Sequence, residues 1–206
     1  MNQHDESNTS GSAKRPKRII IGISGASGAI YGIRLLEVLH AMPGVETSVI
    51  ISNAAKLTIA HETDYKPADV ASLADEAPGN SDIAARISSG SHPTNGMIVA
   101  PCSMKTLSGI VHSYTDNLIT RAADVILKEQ RRLILVPRES PLHSGHCELL
   151  YKASRLGALI APPMPAFYNR PQSVDDIVNH TVGRVLDLLD LDSGIVKRWK
   201  GLKADT

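Results

Sequence analysis

Aromatic residues and an excess of either charge are what this sequence lacks most. Its 206 residues include one Trp, five Tyr and one Phe, too few for a stacking platform that binds single-stranded nucleic acid. Lys and Arg number 22 against 21 Asp and Glu, a formal net charge of +1, so no overall field attracts the chain to nucleic acid or to anionic lipid. Nucleic acid is therefore not a predicted partner.

Long hydrophobic runs and cysteines are also scarce. No apolar run approaches the roughly 20 residues that span a bilayer, so no membrane partner is predicted. The segment from Met1 to Lys17 is polar and lacks the apolar core of a secretory signal, which predicts a cytoplasmic protein. Cys102 and Cys147 cannot build a disulfide framework, and a reducing compartment would keep both as thiols.

Short apolar strands alternate with amphipathic helices along most of the chain. Strands are predicted at Arg18–Ser24, Thr47–Ser52, Met97–Ala100, Leu133–Val136 and Ala158–Ala161. Helices are predicted at Ala29–Met42, Ala54–Glu62, Thr106–Val111, Leu118–Lys128 and Val174–Leu189, with a candidate short helix at Ala68–Ala77. This alternation predicts an α/β fold with a doubly wound, Rossmann-like parallel sheet flanked by helices. We expect a disordered tail at residues 1–17, a single domain at residues 18–192 and a C-terminal extension at residues 193–206.

The loops that follow the strands are the predicted binding site. In open α/β sheets, ligands bind beyond the carboxyl ends of the strands. Four loops should therefore converge: Gly25–Gly28, Ser52–Asn53, Pro101–Thr106 and Pro137–Glu139. The long segment from Asp64 to Pro93 interrupts the alternation, and loops of this length in compact domains are usually functional.

The first of these loops has glycines at positions 22, 25 and 28, a spacing that fits neither dinucleotide-binding nor P-loop motifs. The second strand also ends in Ser52, where NAD binding would want an acidic residue. The turn suits an anion at a helix N-terminus, which favours a mononucleotide or another phosphate ester. A turn that only packs strand against helix is the alternative.

Two further loops carry candidate ligand contacts. Ser103 and Thr106 begin a helix after a buried strand, again a suitable place for phosphate. Cys102 in this loop is either a nucleophile or, as we favour, a small buried residue beside the ligand, because no nearby base would activate it. Arg138 and Glu139 follow a wholly apolar strand, which favours a site over a surface ion pair.

Two other groups are more ambiguous. Arg121 and Lys128 lie seven residues apart and share a helix face, which is either part of a site or simply solvated. His143 and His146 stand close to Cys147 and Glu148, but the spacing does not bring four ligands together. We therefore predict no metal site and expect His146 and Glu148 to cap or pair near the start of a helix.

Seven motifs, taken together and in order, resemble one known family. They are Ile23–Ala29, Ile51–Lys56, Ser88–Ser91, Pro101–Thr106, Asn117–Glu129, Val136–Glu139 and Pro165–Pro171. The chain resembles the UbiX-type flavin prenyltransferases from about Arg18 to Trp199, within the wider group of flavin-containing cysteine decarboxylase-like folds. Ile87–Ser91 and Cys102–Thr106 are most similar to the branch that is often encoded beside hydroxyarylic acid decarboxylases and counted among their subunits.

The resemblance implies a prenyl transfer without metal or net redox change. Dimethylallyl phosphate would alkylate reduced FMN at N5 and then C6, and the prenylated FMN would serve a UbiD-type decarboxylase. The assembly implied is a homo-oligomer, a dodecamer built from trimers, with the flavin between subunits.

The resemblance also implies residue roles. FMN would be held by Gly25, Ala26, Ser27, Ser52, Ser103, Met104, Lys105, Thr106 and Arg138. The prenyl phosphate would contact Ser89, Gly90, Arg121, Lys128, Arg138, Tyr168 and Arg184, partly from neighbouring subunits. Glu139 would be the acid/base assisted by Glu62, the Ser27 hydroxyl would lie near flavin N5, and Tyr168 and Trp199 would line the allyl group.

Two other functions compete with this one. An FMN-dependent decarboxylase or oxidoreductase would use the same pocket with oxidised FMN as redox partner. It would need no basic cluster for a second phosphate, yet this chain offers Arg121, Lys128, Arg138 and Arg184. The segment at Asp82 also lacks the preceding His that cysteine decarboxylases use as a base, which argues against decarboxylation. The other alternative is a flavin-carrying subunit without catalysis of its own.

Overall fold

Five parallel strands form the centre of the molecule, a computed structural model that describes residues 15–196, 198–199 and 201. They are β1 (Lys17–Ile23), β2 (Val45–Ile51), β3 (Gly96–Cys102), β4 (Arg132–Pro137) and β5 (Leu159–Ile160). The strand order is β2-β1-β3-β4-β5, and every neighbouring pair is parallel. The chain thus changes winding direction between β1 and β3, which confirms the predicted doubly wound α/β fold.

Helices cover both faces of the sheet. They are α1 (Ala29–His40), α2 (Asn53–Glu62), α3 (Pro67–Ser72), α4 (Met104–Val111), α5 (Leu118–Lys128), α6 (Ser144–Arg155) and α7 (Val174–Asp187). Helices α1, α2, α3 and α7 bury their apolar faces in one core cluster, and α4, α5 and α6 in the other. Both faces of β1, β3 and β4 are therefore covered, which explains their continuous apolar runs. Within the described part of the chain, no helix combines the length and apolarity needed to cross a membrane.

Side-chain caps fix where three helices begin at the carboxyl edge of the sheet. Ser52 accepts a hydrogen bond from the N–H of Ala55 at 3.1 Å, and Ser103 accepts one from Thr106 at 3.3 Å. Asn117 caps α5 in the same way, through the N–H of Thr120 at 3.2 Å. These caps satisfy N–H groups that the first helical turn leaves open, so they anchor the loops that precede α2, α4 and α5.

Some predicted boundaries were wrong. The candidate helix at Ala68–Ala77 is only α3, and Glu76 instead pairs with β2 through the N–H of Val49 and the carbonyl of Thr47. Helix α6 was anticipated only as a helix start near His146, because Ala153 is its single fully buried residue and its apolar periodicity is weak. The predicted tail up to position 14, and positions 197, 200 and 202–206 of the predicted extension, lie outside the described residues.

Candidate functional site

The four loops predicted to form the site meet where the sheet changes winding direction. The Ser52 N–H donates to the carbonyl of Ile23 at 3.0 Å, and the Ser24 N–H donates to Pro101 at 3.2 Å. The N–H of Arg138 donates to the carbonyl of Cys102 at 3.2 Å. Main-chain hydrogen bonds thus join the ends of β1, β2, β3 and β4, which confirms the predicted convergence.

Ser24 is a positioning residue that the sequence analysis did not single out. Its side chain is buried, donates to the carbonyl of Pro101 at 2.8 Å and accepts from the N–H of Ser103 at 2.8 Å. It therefore ties the first loop to the third and sets where α4 begins. The sequence feature that indicates this role is a hydroxyl residue at the end of an otherwise apolar strand, because a buried hydroxyl requires hydrogen-bond partners.

We expect Ser24→Ala to loosen this connection. The substitution leaves the part-buried N–H of Ser103 without its acceptor, at a cost of about 1–2 kcal/mol in the free energy of unfolding. Urea unfolding measures that loss. Ser154→Ala, at an exposed position on α6, is the matched control. Unchanged stability in Ser24→Ala would contradict the assignment.

The N-terminus of α1 is occupied by a carboxylate of the chain itself. Glu62 accepts hydrogen bonds from the N–H groups of Gly28 at 2.8 Å and Ala29 at 3.2 Å, and from the Ser27 hydroxyl. Gly28 precedes the helix with φ 98°, a conformation that favours glycine. The prediction of a phosphate at the N-terminus of α1 is therefore wrong, because the carboxylate of Glu62 occupies that position.

The same contacts determine the electrostatics of Glu62. Partial burial raises the pKa of its carboxyl, but the Ser27 hydroxyl, the two backbone N–H groups and the charge of Arg138 lower it more. The net pKa lies below the ordinary value, so the carboxylate is charged at neutral pH. The charged Glu62 carboxylate accepts a hydrogen bond from the Ser27 hydroxyl and thereby fixes the direction of that hydroxyl.

Helix α4 offers the open N-terminus that α1 does not. Ser103 satisfies the N–H of Thr106 and donates its own hydroxyl to Thr106 Oγ1 at 3.1 Å. The N–H groups of Met104 and Lys105 in the first turn have no acceptor within the helix. The Lys105 side chain is exposed and forms no ion pair in the part of the chain described here. This terminus has the donors and the charge that a phosphate group requires.

The first loop passes very close to α2. A Cβ built on Gly25 would lie 2.3 Å from the Cβ of Ala54, so only glycine fits. The N–H of Ala26 donates to the carbonyl of Ser24 at 2.9 Å and closes the turn. Gly25 and Ala26 therefore let the first loop lie directly against α2.

Arg138 and Glu139 stand exposed where the buried strand β4 ends. Burial raises the pKa of Tyr31 overall, while the charge of Arg138 lowers it, as it lowers that of Glu62. Among the described residues, Arg138 has no carboxylate in hydrogen-bond contact. Within the described ranges, the single hydrogen bond that the Glu139 side chain accepts is from the N–H of Ser140, at 3.0 Å. Both side chains can therefore turn towards a ligand.

Cys102 lies between these loops without chemistry of its own. Its side chain is fully buried, and burial raises the pKa of the thiol to about 12. The thiolate needed for nucleophilic attack is not formed near neutral pH. This supports the interpretation of Cys102 as a small packing residue.

A second group of predicted residues lies on the outer side of α5; we call it the α5 cluster, consisting of Ser89, Gly90, Arg121 and Lys128. Arg121 Nε donates to the carbonyl of Ser88 at 3.2 Å, which holds the loop against the helix. Lys128 pairs with Glu129, and both side chains lie against Gly90, where a Cβ would clash with them. The structure therefore brings these four residues together, as predicted.

A third group surrounds the start of α7. The ring of Tyr168 meets the ring of Trp199 edge to face, with centroids 5.6 Å apart, and both side chains are about half exposed. Arg184, further along α7, pairs with Asp187 at 2.6 Å, and Arg198 binds the same carboxylate. Tyr168 and Trp199 are thus adjacent, as expected of two side chains that line one apolar group.

These groups do not meet within one chain. Helix α5 packs on one face of the sheet and α7 on the other. Lys128 lies beside the amino end of β4 and Glu139 beyond its carboxyl end, so the six residues of β4 separate them by roughly 20 Å. One small ligand cannot contact the whole predicted set in a single subunit.

The histidines of α6 have structural roles. His143 caps the helix by accepting the N–H of Gly145 at 3.1 Å, and its ring stacks on His146 at 3.6 Å. Glu148 pairs with Lys152 at 2.7 Å, as expected, whereas His146 does not form the expected cap. No three His, Cys, Asp or Glu side chains in the described ranges are arranged to hold a metal ion.

Comparison with known proteins gives a consistent result. The family model described as Flavoprotein matches residues 7–186. The flavin prenyltransferase UbiX of Salmonella typhimurium is 58% identical over 187 residues, which cover 90% of this chain and 99% of that protein.

Two solved structures share the fold closely. A UbiX protein (PadA1), crystallised with FMN and dimethylallyl pyrophosphate, has a TM-score of 0.90 and 48% identity and covers 92% of this chain and 100% of its own. The dodecameric FMN-dependent UbiX-like decarboxylase from Escherichia coli O157:H7 has a TM-score of 0.88 and 54% identity, covering 89% and 100%. On sequence and fold alike, the chain belongs to the flavoprotein family and, within it, to the UbiX-type flavin prenyltransferases.

Proposed function

We propose that this chain joins the dimethylallyl group of dimethylallyl phosphate to N5 and C6 of reduced FMN and releases prenylated FMN for a UbiD-type decarboxylase. The observation that carries the proposal is the meeting of Ser27, Glu62, Arg138 and Glu139 at one edge of the sheet. Family membership supports the reaction, and the UbiX protein crystallised with FMN and a prenyl pyrophosphate supports the substrates.

The residues present fit FMN. The first turn of α4 supplies unsatisfied N–H groups for the flavin phosphate, next to the exposed cation of Lys105. Gly25 packs directly against Ala54, which holds the first loop against α2, and neither Gly25 nor Ala26 has a side chain large enough to obstruct a ring system. Ser52 and Thr106 complete the set of small polar contacts. When bound, the reduced flavin supplies the two nucleophilic positions, N5 and C6.

The side chains of the chain provide the remaining chemistry. Breaking the allylic C–O bond leaves a phosphate dianion, which Arg138 and the α5 cluster neutralise through charge-assisted hydrogen bonds. The cation-like allyl fragment is stabilised by the faces of Tyr168 and Trp199. N5 would lose its proton when it bonds to the allyl group, and the remaining C=C bond would take up a proton at its central carbon so that its far carbon can bond to C6. Glu139 would accept the proton that C6 loses, and Glu62 would hold the Ser27 hydroxyl in a fixed direction beside the flavin. Holding both reactants in place supplies much of the rate.

The site is proposed to be complete only in an oligomer. Within one subunit, the sheet separates the α5 cluster from α7 and the aromatic pair beside it, and the length of β4 separates Lys128 from Glu139. They act on one donor if neighbouring copies contribute them. The related Escherichia coli protein forms a dodecamer, which supports a homo-oligomer of the same kind.

One experiment separates this function from its alternatives. The purified protein is incubated anaerobically with reduced FMN and dimethylallyl phosphate, and the released flavin is analysed by mass spectrometry. A mass gain of one C5 prenyl unit supports the transferase. Unmodified FMN, with pyrophosphate and longer prenyl donors also tried, would favour an FMN-dependent decarboxylase or a flavin-carrying subunit.

Three further points stay predictions. A pull-down with a UbiD-type decarboxylase, followed by recovery of its activity, tests the recipient. The cytoplasmic location predicted from the sequence requires localisation of the tagged protein. The proposed domain at residues 18–192 begins one residue after the start of β1, and truncation at position 17 tests that boundary.

A further inference from the structure

His180 is a partly buried residue on α7 that connects two members of the loop before this helix. Its Nε2 lies 3.3 Å from the hydroxyl of Tyr168, and its Nδ1 lies 3.0 Å from the side-chain amide nitrogen of Asn169. The Tyr168 ring also meets the His180 ring edge to face, with centroids 5.7 Å apart. His180 and Trp199 thus both support the Tyr168 ring, about half of which is exposed to solvent.

The chemistry of these groups fixes the direction of each hydrogen bond. An amide nitrogen only donates, so His180 Nδ1 must accept from Asn169. In a neutral imidazole the proton is then on Nε2, which donates to the Tyr168 oxygen. Tyr168 therefore keeps its own O–H for another acceptor, and the described residues offer it no acceptor besides His180.

From this geometry we infer that His180 is a positioning residue that directs the Tyr168 O–H towards the phosphate of the prenyl donor. The inference rests on the proposed function, in which Tyr168 contacts the prenyl phosphate, and it adds His180 as the residue that orients the Tyr168 hydroxyl for that contact. Arg184 lies one helical turn after His180, on the same side of α7, and provides a cation for the same anion. The site thus has one hydroxyl donor and one guanidinium on a rigid support.

The charged groups around His180 favour the neutral ring. Partial burial and the charge of Arg184 lower the pKa of His180, while Asp187 acts in the opposite direction. Asp187 is itself shared between Arg184 and Arg198, which limits its effect on the imidazole. Protonation at acid pH would place a hydrogen on Nδ1 and break the bond from Asn169.

The test compares kinetic parameters for dimethylallyl phosphate in several variants. His180→Leu removes the N–H that donates a hydrogen bond to Tyr168. It should raise the KM for dimethylallyl phosphate about fivefold to tenfold, while FMN affinity stays unchanged. His180→Gln keeps one donor and one acceptor and should restore most of the affinity. With Asn169→Asp, His180 Nδ1 should donate to the new carboxylate, and Nε2 should accept from the Tyr168 O–H. This turns the hydroxyl away from the substrate and should also raise the KM for dimethylallyl phosphate. His40→Leu, exposed at the end of α1, is the matched control.

Two further readouts distinguish positioning from general stability. In a Tyr168→Phe background, His180→Leu should have no additional effect on the donor KM. At acid pH, the KM for dimethylallyl phosphate should rise less in His180→Gln than in the wild type. Protonation of dimethylallyl phosphate itself affects both proteins equally, so the difference reports on His180. Additive effects, an unchanged KM in His180→Leu or a loss of FMN binding would overturn the inference. A wild-type protein that makes no prenylated FMN would instead refute the proposed function.

Discussion

Glu139→Gln should bind FMN as tightly as the wild type and transfer the prenyl group about 100-fold to 10,000-fold more slowly. The amide keeps the size of the side chain but cannot accept the proton lost from C6, and general-base catalysis contributes a factor of this order. Glu139 is exposed, and among the residues that the structure describes it accepts a hydrogen bond from the N–H of Ser140 alone, so its replacement should leave the fold intact. Single-turnover kinetics with reduced FMN and dimethylallyl phosphate measure the effect.

A matched substitution controls for the loss of charge. Glu148→Gln removes an exposed carboxylate from α6, where it pairs with Lys152. Its transfer rate and flavin affinity should equal those of the wild type. If Glu139→Gln also turns over at the wild-type rate, Glu139 is not the base; if it loses FMN instead, its role is in binding.

Glu62→Gln should slow prenyl transfer by about 10-fold to 100-fold. The amide group cannot accept from Ser27, Gly28 and Ala29 as the carboxylate does, and hydrogen bonds to a charged group contribute about 1.5–3 kcal/mol each. Because Glu62 is exposed to water, we expect a smaller loss of stability, about 1 kcal/mol. Ser27→Ala should cause a similar loss of rate. The double variant should lose little more, because both substitutions remove the same Ser27–Glu62 hydrogen bond.

The pH dependence of this stability has a defined sign. The pKa of Glu62 is lower in the folded protein than its ordinary value of 4.5, so folding favours the carboxylate. Its contribution is present above that value and is lost as the pH falls through the lowered pKa. The difference in urea stability between wild type and Glu62→Gln should therefore shrink in acid. A difference that grows on acidification would contradict the capping role.

Much of the architecture follows from local patterns. Helix α5 has the predicted limits, because its apolar residues recur at helical spacing and Asn117 caps it. Strands β1, β3 and β4 differ by one or two residues from prediction, since buried strands of parallel sheets are nearly continuous apolar runs. Helix α6 shows the limit of this reasoning, because a mostly exposed helix leaves little periodicity to detect.

The site was predictable at the level of loops but not of side-chain partners. The rule for doubly wound sheets brings four loops to one edge, and they do meet there. Nothing local in the sequence places Glu62 against Ser27, 35 positions earlier, because that contact depends on how α2 packs beside α1. The bridge from Ser24 to Ser103 likewise depends on β1 and β3 being neighbours.

The separation of Lys128 from Glu139 along β4 has a genetic consequence. If each site is shared between copies, a subunit with a defective Glu139 and a subunit with a defective Lys128 damage different parts of a site. Mixed assemblies of the two would contain some sites in which both residues are intact, so two inactive alleles together should restore part of the activity. By the same reasoning, one inactive allele would lower the activity of the wild-type subunits assembled with it.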